Sequence, residues 1–346
     1  MLAMTGEPER IVVFVPNWVG DAVMFTPALR AIRARYSGAD LALLARPAPA
    51  AVLRPNPWTE DIIVDRGSPL RLIRMLRRRR FDLAVLGPNS FRSALVARLG
   101  GAGRRLGYDR DGRGFLLTDR LIPPRNADGS FAVTPALDYY LELAASLGGD
   151  VSDRRMELAV ADSDAASAEA LLGDAGVEPG RPIVLLNPGG SFGPAKLYPA
   201  ERFADVADAL ADARKAQIII NAAPSERPIA DAVAAAMKHP PALNLARIEN
   251  TLGLLKALVC RADLLITNDT GPRHFAAALG VPVVTVFGPT DPGWATINYA
   301  RERIVRVDVP CGPCQRKQCP LRPGPERHQC MLKISPEMLL AAAEEL

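Results

Sequence analysis

Short apolar segments that alternate with helical patterns decide which folds this chain can adopt. The first, residues 11–15, is a continuous β-branched run of the kind found in strands buried on both faces of a parallel sheet. Further strand patterns lie at residues 40–44, 61–64, 82–86, 183–186, 217–220, 242–245, 263–267 and 282–287. Helical patterns separate them, and this alternation predicts a doubly wound α/β fold.

The alternation is interrupted once, near the middle of the chain. Residues 148–164 lack clear periodicity, and 346 residues exceed one ordinary core. We therefore expect two Rossmann-like domains, residues 1–160 and 161–346, with ligands bound in a cleft between them, beyond the carboxyl ends of the strands. A terminal helix at 336–346 is expected to pack back on the first domain, and residues 101–135 to be a long loop.

The composition is that of an ordinary globular protein, with 49% apolar and 23% charged residues. No stretch is apolar for long enough to span a bilayer, and the first ten residues contain acids and no apolar run. We therefore expect a cytoplasmic protein that at most associates with a membrane surface.

Positive charge is concentrated in the first half of the chain, although the net charge is only +4. Between Arg66 and Arg125 there are 15 arginines and 4 acids, and residues 1–150 contain no lysine. A solvated charged surface is the plain explanation, but the planar guanidinium suits bidentate contacts with phosphate and carboxylate. An acidic partner is therefore expected for this half.

The turn after the first strand pattern contains an acid. Asp21 follows Asn17, Trp18 and Gly20, and it precedes a helical pattern at residues 22–35. An aspartate here is a favoured helix cap, and the same position can hold a catalytic base. Because the helix dipole stabilises a carboxylate at a helix start, we expect a low pKa for Asp21.

Two loops in the second half have features of anion sites. Residues 187–196 form a glycine-rich turn ending at Lys196, which is either a phosphate-binding loop or a flexible connector with a solvated lysine. The other loop joins the strand pattern at 263–267 to a helix that starts at Gly271. The exposed backbone N–H groups of this helix start, including that of Arg273, and the helix dipole favour a bound anion.

His274 lies one turn beyond Thr270, on the helix face nearest the expected anion. An ordinary core or surface histidine is the alternative. The chain has only three histidines, and this one coincides with the predicted anion site, so we assign it to that site.

Four of the five cysteines lie in the tail, near His328: Cys311, Cys314, Cys319 and Cys330. They could hold a structural zinc ion, but the spacings of four and ten intervening residues match no standard finger. Reduced structural cysteines are the expectation for a cytosolic protein. No two carboxylates are spaced for a divalent cation, so we predict no metal site.

Taken together, these segments resemble glycosyltransferase family 9, the ADP-heptose:lipopolysaccharide heptosyltransferases, and are most similar to its heptosyltransferase II branch. The resemblance spans nearly the whole chain. It rests on residues 16–24, 87–95, 105–108, 187–196, 267–274 and 311–314 with 319–321.

The resemblance implies a GT-B fold and inverting transfer without a metal or cofactor. It places the acceptor in the amino-terminal domain and the donor, ADP-L-glycero-β-D-manno-heptose, in the carboxy-terminal one, with Asp21 as general base. Donor contacts are expected from Ser191, Lys196, Glu226, Asp269, Thr270, Gly271 and His274. Acceptor contacts are expected from Asn17, Trp18, Asn89, Ser90, Arg92, Arg105, Arg110 and Arg113.

The function expected from the resemblance is heptose transfer to the first heptose of the lipopolysaccharide inner core on lipid A. The enzyme would act as a monomer at the cytoplasmic face of the inner membrane. Heptosyltransferase I, or another sugar transferase of the family, is one alternative. A noncatalytic nucleic-acid-binding protein is another, but few aromatic residues accompany the arginines, so no nucleic acid partner is expected.

Two departures from the family pattern are visible. Tyr198 stands where the family commonly has tryptophan, which bears on fine donor contacts. The tail carries an insert at residues 322–327, which is expected to affect the conformation of the tail and not the chemistry.

Overall fold

The computed structural model describes residues 7–190 and 192–346. They form two compact units. The first comprises the chain up to Leu158 together with Gly293–Ile297, and the second comprises Ala159–Pro292 and Asn298–Leu346. Each unit contains a parallel sheet with helices, so the predicted α/β class is confirmed. Among the described residues, no helix combines the length and apolar character that crossing a bilayer requires.

The sheet of the first unit has six parallel strands in the described residues: β1 Arg10–Phe14, β2 Asp40–Ala45, β3 Ile62–Val64, β4 Leu83–Leu86, β5 Arg104–Tyr108 and β6 Asp119–Leu121. Their order is β3-β2-β1-β4-β5-β6. β1 pairs with β2 on one side and with β4 on the other. The direction of winding reverses between β1 and β4, so the loops after these two strands lie where open α/β sheets bind ligands.

The sheet of the second unit repeats this plan over the described residues, with β7 Ile183–Asn187, β8 Gln217–Ile220, β9 Leu243–Asn244, β10 Leu264–Asn268, β11 Val283–Val286 and β12 Glu302–Val305. The order is β12-β11-β10-β7-β8-β9. Winding reverses between β7 and β10, which pair directly. The glycine-rich loop follows β7 and the Asp269 turn follows β10, so both predicted anion loops meet at the ligand-binding edge.

Helices cover these sheets. The first unit contains α1 Val19–Met24, α2 Thr26–Arg35, α3 Pro47–Val52, α4 Pro69–Arg79, α5 Phe91–Leu99 and α6 Ala136–Ala145. The second contains α7 Asp162–Asp174, α8 Ala200–Arg214, α9 Arg227–Ala236, α10 Leu252–Arg261, α11 Gly271–Leu279, α12 Gln329–Leu332 and α13 Pro336–Glu344. The central strands of each sheet, such as β1 and β7, are apolar and buried on both faces.

Two expectations about these elements are wrong. The helix predicted at 22–35 is split at Phe25, since Pro27 can occupy the first turn of α2 but has no N–H to continue α1. Residues 101–135 contain β5 and β6 in place of one long loop. The terminal helix is part of the second unit, where Leu339 and Ala343 of α13 lie in the core.

Candidate active site

Asp21 lies in the first turn of α1, at the carboxyl end of β1. Trp18 holds the cap position, so Asp21 is not the cap itself. The Tyr140 hydroxyl on α6 donates a hydrogen bond of 3.1 Å to Asp21 Oδ1. Burial raises the pKa of Asp21 above its ordinary value, and the bond from Tyr140 offsets part of that rise. The expected low pKa is therefore wrong, because the cost of burying the charged carboxylate outweighs the hydrogen bond that stabilises it.

The segment after β4 is hydrogen-bonded to Arg113, a fully buried arginine. Its guanidinium donates to Asn89 Oδ1 at 3.0 Å and to Ser93 Oγ at 3.2 Å, and also to the Pro88 and Tyr108 carbonyls. The expected contact between Arg113 and an acceptor must be revised, because every donor group of the side chain faces the protein. Arg113 instead fixes the segment that presents Asn89.

Arg105 also differs from expectation. It lies near the start of β5, at the edge of the sheet opposite the carboxyl ends. Its guanidinium donates to the carbonyls of Leu116, Ala102 and Gly103 at 2.7, 2.6 and 3.1 Å. A direct acceptor contact is therefore not supported for Arg105, whose donors satisfy loop carbonyls.

Two cavities flank the Asn89 segment within the first unit. One, of about 160 Å³, is lined by Asn89, Arg110 and Tyr140, among others. The Arg110 guanidinium there stacks on Phe131, 3.9 Å from the ring centre. The other, of about 150 Å³, is lined by the predicted residues Asn17, Ser90 and Arg92. Trp18 is 67% exposed and lines neither cavity.

In the second unit, Lys196 and Asp269 form an ion pair between the two anion loops. Lys196 Nζ also donates to the Asp269 carbonyl at 3.1 Å, and Thr290 Oγ1 donates to Asp269 Oδ2 at 3.0 Å. Burial would raise the pKa of Asp269, but Lys196 and Arg273 hold it below its ordinary value. Asp269 is therefore the anionic partner that orients Lys196.

The glycine-rich loop is anchored by Glu226. Its carboxylate accepts the Gly190 N–H at 2.7 Å and the Ala223 N–H at 3.0 Å. A Cβ at Gly189 would lie 2.3 Å from this carboxylate, so a larger residue there would displace the Glu226 side chain from its present position. Glu226 thus has a local structural role, and its expected contact with the ribose stays a prediction. Ser191, in the same loop, lies outside the described residues.

Thr270 caps α11, and Gly271 is the first residue of this helix. Thr270 Oγ1 accepts a bond of 3.0 Å from Asn187 Nδ2. Its own hydroxyl proton can therefore be donated elsewhere. The Arg273 N–H, expected to face an anion, donates instead to the Thr270 carbonyl at 3.3 Å. The N–H groups of Thr270 and Gly271 remain the candidates at this helix end.

His274 is buried on α11, beside Arg273. Burial, reinforced by the Arg273 charge, lowers the pKa of His274 to about 3, so the imidazole is neutral at physiological pH. Its Nδ1 is buried and has no hydrogen-bond partner within the described residues. A neutral ring can exchange one hydrogen bond with a ligand but cannot add positive charge to the site.

The tail clamps the turn that carries Lys196. The Ala195 N–H donates to the Lys317 carbonyl at 3.1 Å, and the His328 Nε2–H donates to the Ala195 carbonyl at 2.8 Å. The Tyr198 hydroxyl donates to the Ile334 carbonyl at 3.1 Å. Both bonds to Ala195 come from tail residues outside the insert at 322–327, so the expectation that this insert leaves the chemistry unaffected stays a prediction.

The chain as a whole is similar to known proteins. The profile of glycosyltransferase family 9 (heptosyltransferase) matches residues 69–324, well over half of the chain. The chain belongs to glycosyltransferase family 9. Lipopolysaccharide heptosyltransferase 2 of Salmonella typhimurium is 27% identical to it, over 97% of this chain and 98% of that protein. Lipooligosaccharide heptosyltransferase 2 of Campylobacter jejuni is 26% identical, over 97% and 99%.

Solved structures agree with this membership. The E. coli ADP-heptose LPS heptosyltransferase II matches with a TM-score of 0.78 at 26% identity, covering 97% of this chain and 98% of that one. A family 9 glycosyltransferase from Veillonella parvula has a TM-score of 0.82 at 23% identity, over 97% and 96%. The predicted family, its similarity to branch II and the prediction of a glycosyltransferase are confirmed.

The hydrogen bond from Tyr140 gives this family 9 enzyme a testable pH dependence. Tyr140→Phe keeps the buried ring but removes the group that lowers the pKa of Asp21, so that pKa should rise. A base must be deprotonated to act. We therefore expect the acidic limb of kcat/KM against pH to move to higher pH, with activity recovering at alkaline pH.

A matched control for this variant is Tyr299→Phe. The Tyr299 hydroxyl bonds a backbone carbonyl in the second unit. This variant should leave the acidic limb in place. An unchanged limb in Tyr140→Phe would show that Tyr140 does not tune the base.

His328→Ala should weaken donor binding in this family 9 enzyme. Loss of one hydrogen bond to Ala195 is worth about 1 kcal/mol, so the KM for the sugar donor should rise about fivefold. The KM for the acceptor should not change, because the His328 ring contacts the Lys196 turn in the second unit. The control is His239→Ala, at an exposed histidine paired with Asp212. An equal rise in both KM values would contradict the assignment.

The tail cysteines are free thiols. Within the described ranges, no three His, Cys, Asp or Glu side chains are grouped so as to hold a metal ion. Burial and the neighbouring tail thiols raise the pKa of Cys330 to about 11, so this thiol stays protonated. The prediction that the enzyme works without a metal remains a prediction.

Several residues of the site were not found from the sequence. Arg46 and Asp65 also line the second cavity, and each directly follows a strand of the first sheet, a position that was a usable signal. Tyr140 and His328 carried no signal, because each reaches its partner only through tertiary packing. Thr290 follows β11 after a short loop, and its contact with Asp269 also depends on tertiary packing.

Proposed function

We propose that this chain transfers L-glycero-D-manno-heptose from ADP-heptose to the first heptose of the lipopolysaccharide inner core on lipid A. The observation that carries the proposal is the Lys196–Asp269 pair at the start of α11. A cation, a helix N-terminus and a neutral buried His274 are suited to a sugar diphosphate and to the charge it gains on leaving. The names of the relatives support heptose and lipopolysaccharide as the substrates.

The proposed reaction is a single displacement with inversion. The acceptor hydroxyl oxygen forms a bond to the anomeric carbon as the bond from that carbon to the diphosphate oxygen breaks. Asp21 takes the hydroxyl proton, and ADP leaves with the electron pair of the broken bond. The raised pKa of Asp21 makes it a better base than an ordinary aspartate. No metal or cofactor takes part.

Lys196 and the N–H groups of Thr270 and Gly271 stabilise the departing diphosphate. Asp269 keeps Lys196 in place before the donor binds. The half-exposed Arg92 and Arg110 face the acidic sugars and phosphates of the acceptor. The enzyme acts as a monomer in the cytoplasm, where its arginine-rich first half associates with the anionic inner membrane surface.

The test is incubation of the purified chain with ADP-heptose and two truncated acceptors, one ending in the acidic core sugar and one already carrying the first heptose. We expect one added heptose on the second acceptor by mass spectrometry, with inverted anomeric configuration by NMR and undiminished activity in EDTA. Transfer to the first acceptor alone would identify a heptosyltransferase I. No transfer to either acceptor would reject the proposal.

A further inference from the structure

The second cavity of the first unit contains two charged residues, Arg46 and Asp65, to which the proposed reaction assigns no role. It opens at the carboxyl ends of β1 and β2 and has a volume of about 150 Å³. The polar residues that line it are Asn17, Arg46, Asp65, Ser90, Arg92 and Ser93. Two cations and one anion therefore surround one small space.

Asp65 is the fixed point of this cavity. It follows β3 and is only 2% exposed. Its carboxylate accepts two bonds from Arg92, of 2.7 and 3.2 Å, and one of 2.8 Å from the Gly67 N–H. Arg46 Nε lies 3.8 Å from Asp65 Oδ2 on another side. One buried carboxylate is thus hydrogen-bonded to the guanidinium of Arg92 and ion-paired with that of Arg46.

The two arginines remain accessible. The side chains of Arg46 and Arg92 are 42% and 35% exposed, whereas that of Asp65 is 3% exposed. Each guanidinium has five N–H donors, more than one shared carboxylate can accept. The cavity therefore keeps an excess of one positive charge and several free donor directions.

Helix α5 adds to this positive field. Ser90 caps the helix by accepting the Ser93 N–H at 3.2 Å, and both serines line the cavity. The helix is nine residues long, and Arg92 lies in its first turn. Its positive end therefore faces the same space as the two guanidinium groups.

We propose that this cavity binds an anionic group of the acceptor saccharide, a carboxylate or a phosphate, through Arg46 and Arg92. Asp65 is the positioning residue that holds both guanidinium groups in place before the acceptor binds. The inference rests on the proposed function, because it names the group of the acceptor that the first unit recognises. Paired guanidinium groups suit the planar or tetrahedral oxygens of such an anion.

The experiment compares Arg46→Gln, Arg92→Gln and Asp65→Asn with Arg78→Gln, a control at an exposed arginine on α4. Initial rates are measured with the heptose-terminated acceptor, its carboxylate methyl ester and its dephosphorylated form. Each cavity variant should raise the KM for the charged acceptor about 10- to 100-fold, the range for charged hydrogen bonds. The donor KM and the kcat at saturating acceptor should change less than about threefold, within the scatter of surface substitutions.

The neutralised acceptors identify the anion. The wild-type enzyme should lose affinity for whichever form lacks the recognised group, and the arginine variants should lose nothing further on that form. A loss of affinity for the methyl ester would show that the recognised anion is a carboxylate. A loss of affinity for the dephosphorylated form would show that it is a phosphate. Equal losses for the variants on all three acceptors, or no loss on any, would overturn the proposal.

A binding measurement separates this inference from the proposed function. Calorimetric titration of the charged acceptor, without ADP-heptose, should show weaker binding to Arg46→Gln and Arg92→Gln than to the wild type. If that difference appears but no heptose is transferred, the proposed reaction is wrong and the anion site stands. If transfer occurs and the variants bind the acceptor as the wild type does, the anion site is wrong and the reaction stands.

Discussion

Asp21→Asn should lower kcat by about 1,000-fold, in the range that general base catalysis contributes. The amide cannot take a proton from the acceptor hydroxyl, but its oxygen can still accept the hydrogen bond from Tyr140. The geometry of α1 should therefore persist. ADP-heptose binding, measured by calorimetry, should not change, because the donor loops belong to the second unit.

The control for this prediction is Glu142→Gln, which neutralises an exposed acid on α6, the helix of Tyr140. It should turn over like the wild type. Ordinary turnover by Asp21→Asn would remove Asp21 from the chemistry. A fall in donor affinity as large as the fall in kcat would point to a general disturbance of the protein.

Lys196→Met should lower kcat/KM by about 100- to 1,000-fold, the usual effect of removing one group that stabilises charge in a transition state. It should also destabilise the fold by about 1–3 kcal/mol, because Asp269 loses a charged partner while buried. Arg273 and Thr290 still contact Asp269, so the full cost of an isolated buried charge does not arise. Steady-state kinetics and thermal unfolding measure the two effects.

The double variant Lys196→Met/Asp269→Asn separates catalysis from stability. It leaves no uncompensated carboxylate, so the unfolding temperature should recover while activity does not. Lys238→Met, at an exposed lysine, is the control for loss of charge alone. Recovery of activity in the double variant would show that Lys196 acts only by neutralising Asp269.

The placement of the loops could be predicted from the sequence because it depends on local patterns. Apolar runs such as β1 and β10 gave the strands, and polar residues at their carboxyl ends gave Asp21 and Asp269. Strands β5 and β6 were missed because they contain arginine and aspartate and lack a continuous apolar run. Local pattern therefore worked best for strands made almost entirely of apolar residues.

The burial and the hydrogen-bond partners of the arginines could not be predicted, because the sequence does not reveal which groups a guanidinium contacts. Arg113 and Arg92 come from the same basic region, yet one is fully buried and the other is half-exposed at a cavity. The difference depends on which carbonyls and carboxylates the fold brings within about 3 Å, the hydrogen-bonding range. The low pKa expected for Asp21 failed for a similar reason, since burial is a tertiary property.

If the Lys196 turn binds the donor as proposed, the two bonds between the tail and Ala195 would link donor affinity to docking of the tail. If a docked tail favours binding of the sugar nucleotide, the bound nucleotide must favour docking of the tail by the same factor. The tail would then report whether the nucleotide is bound. Its protection from proteases or from thiol reagents at Cys330 would rise and fall with the nucleotide, even in an enzyme unable to turn over.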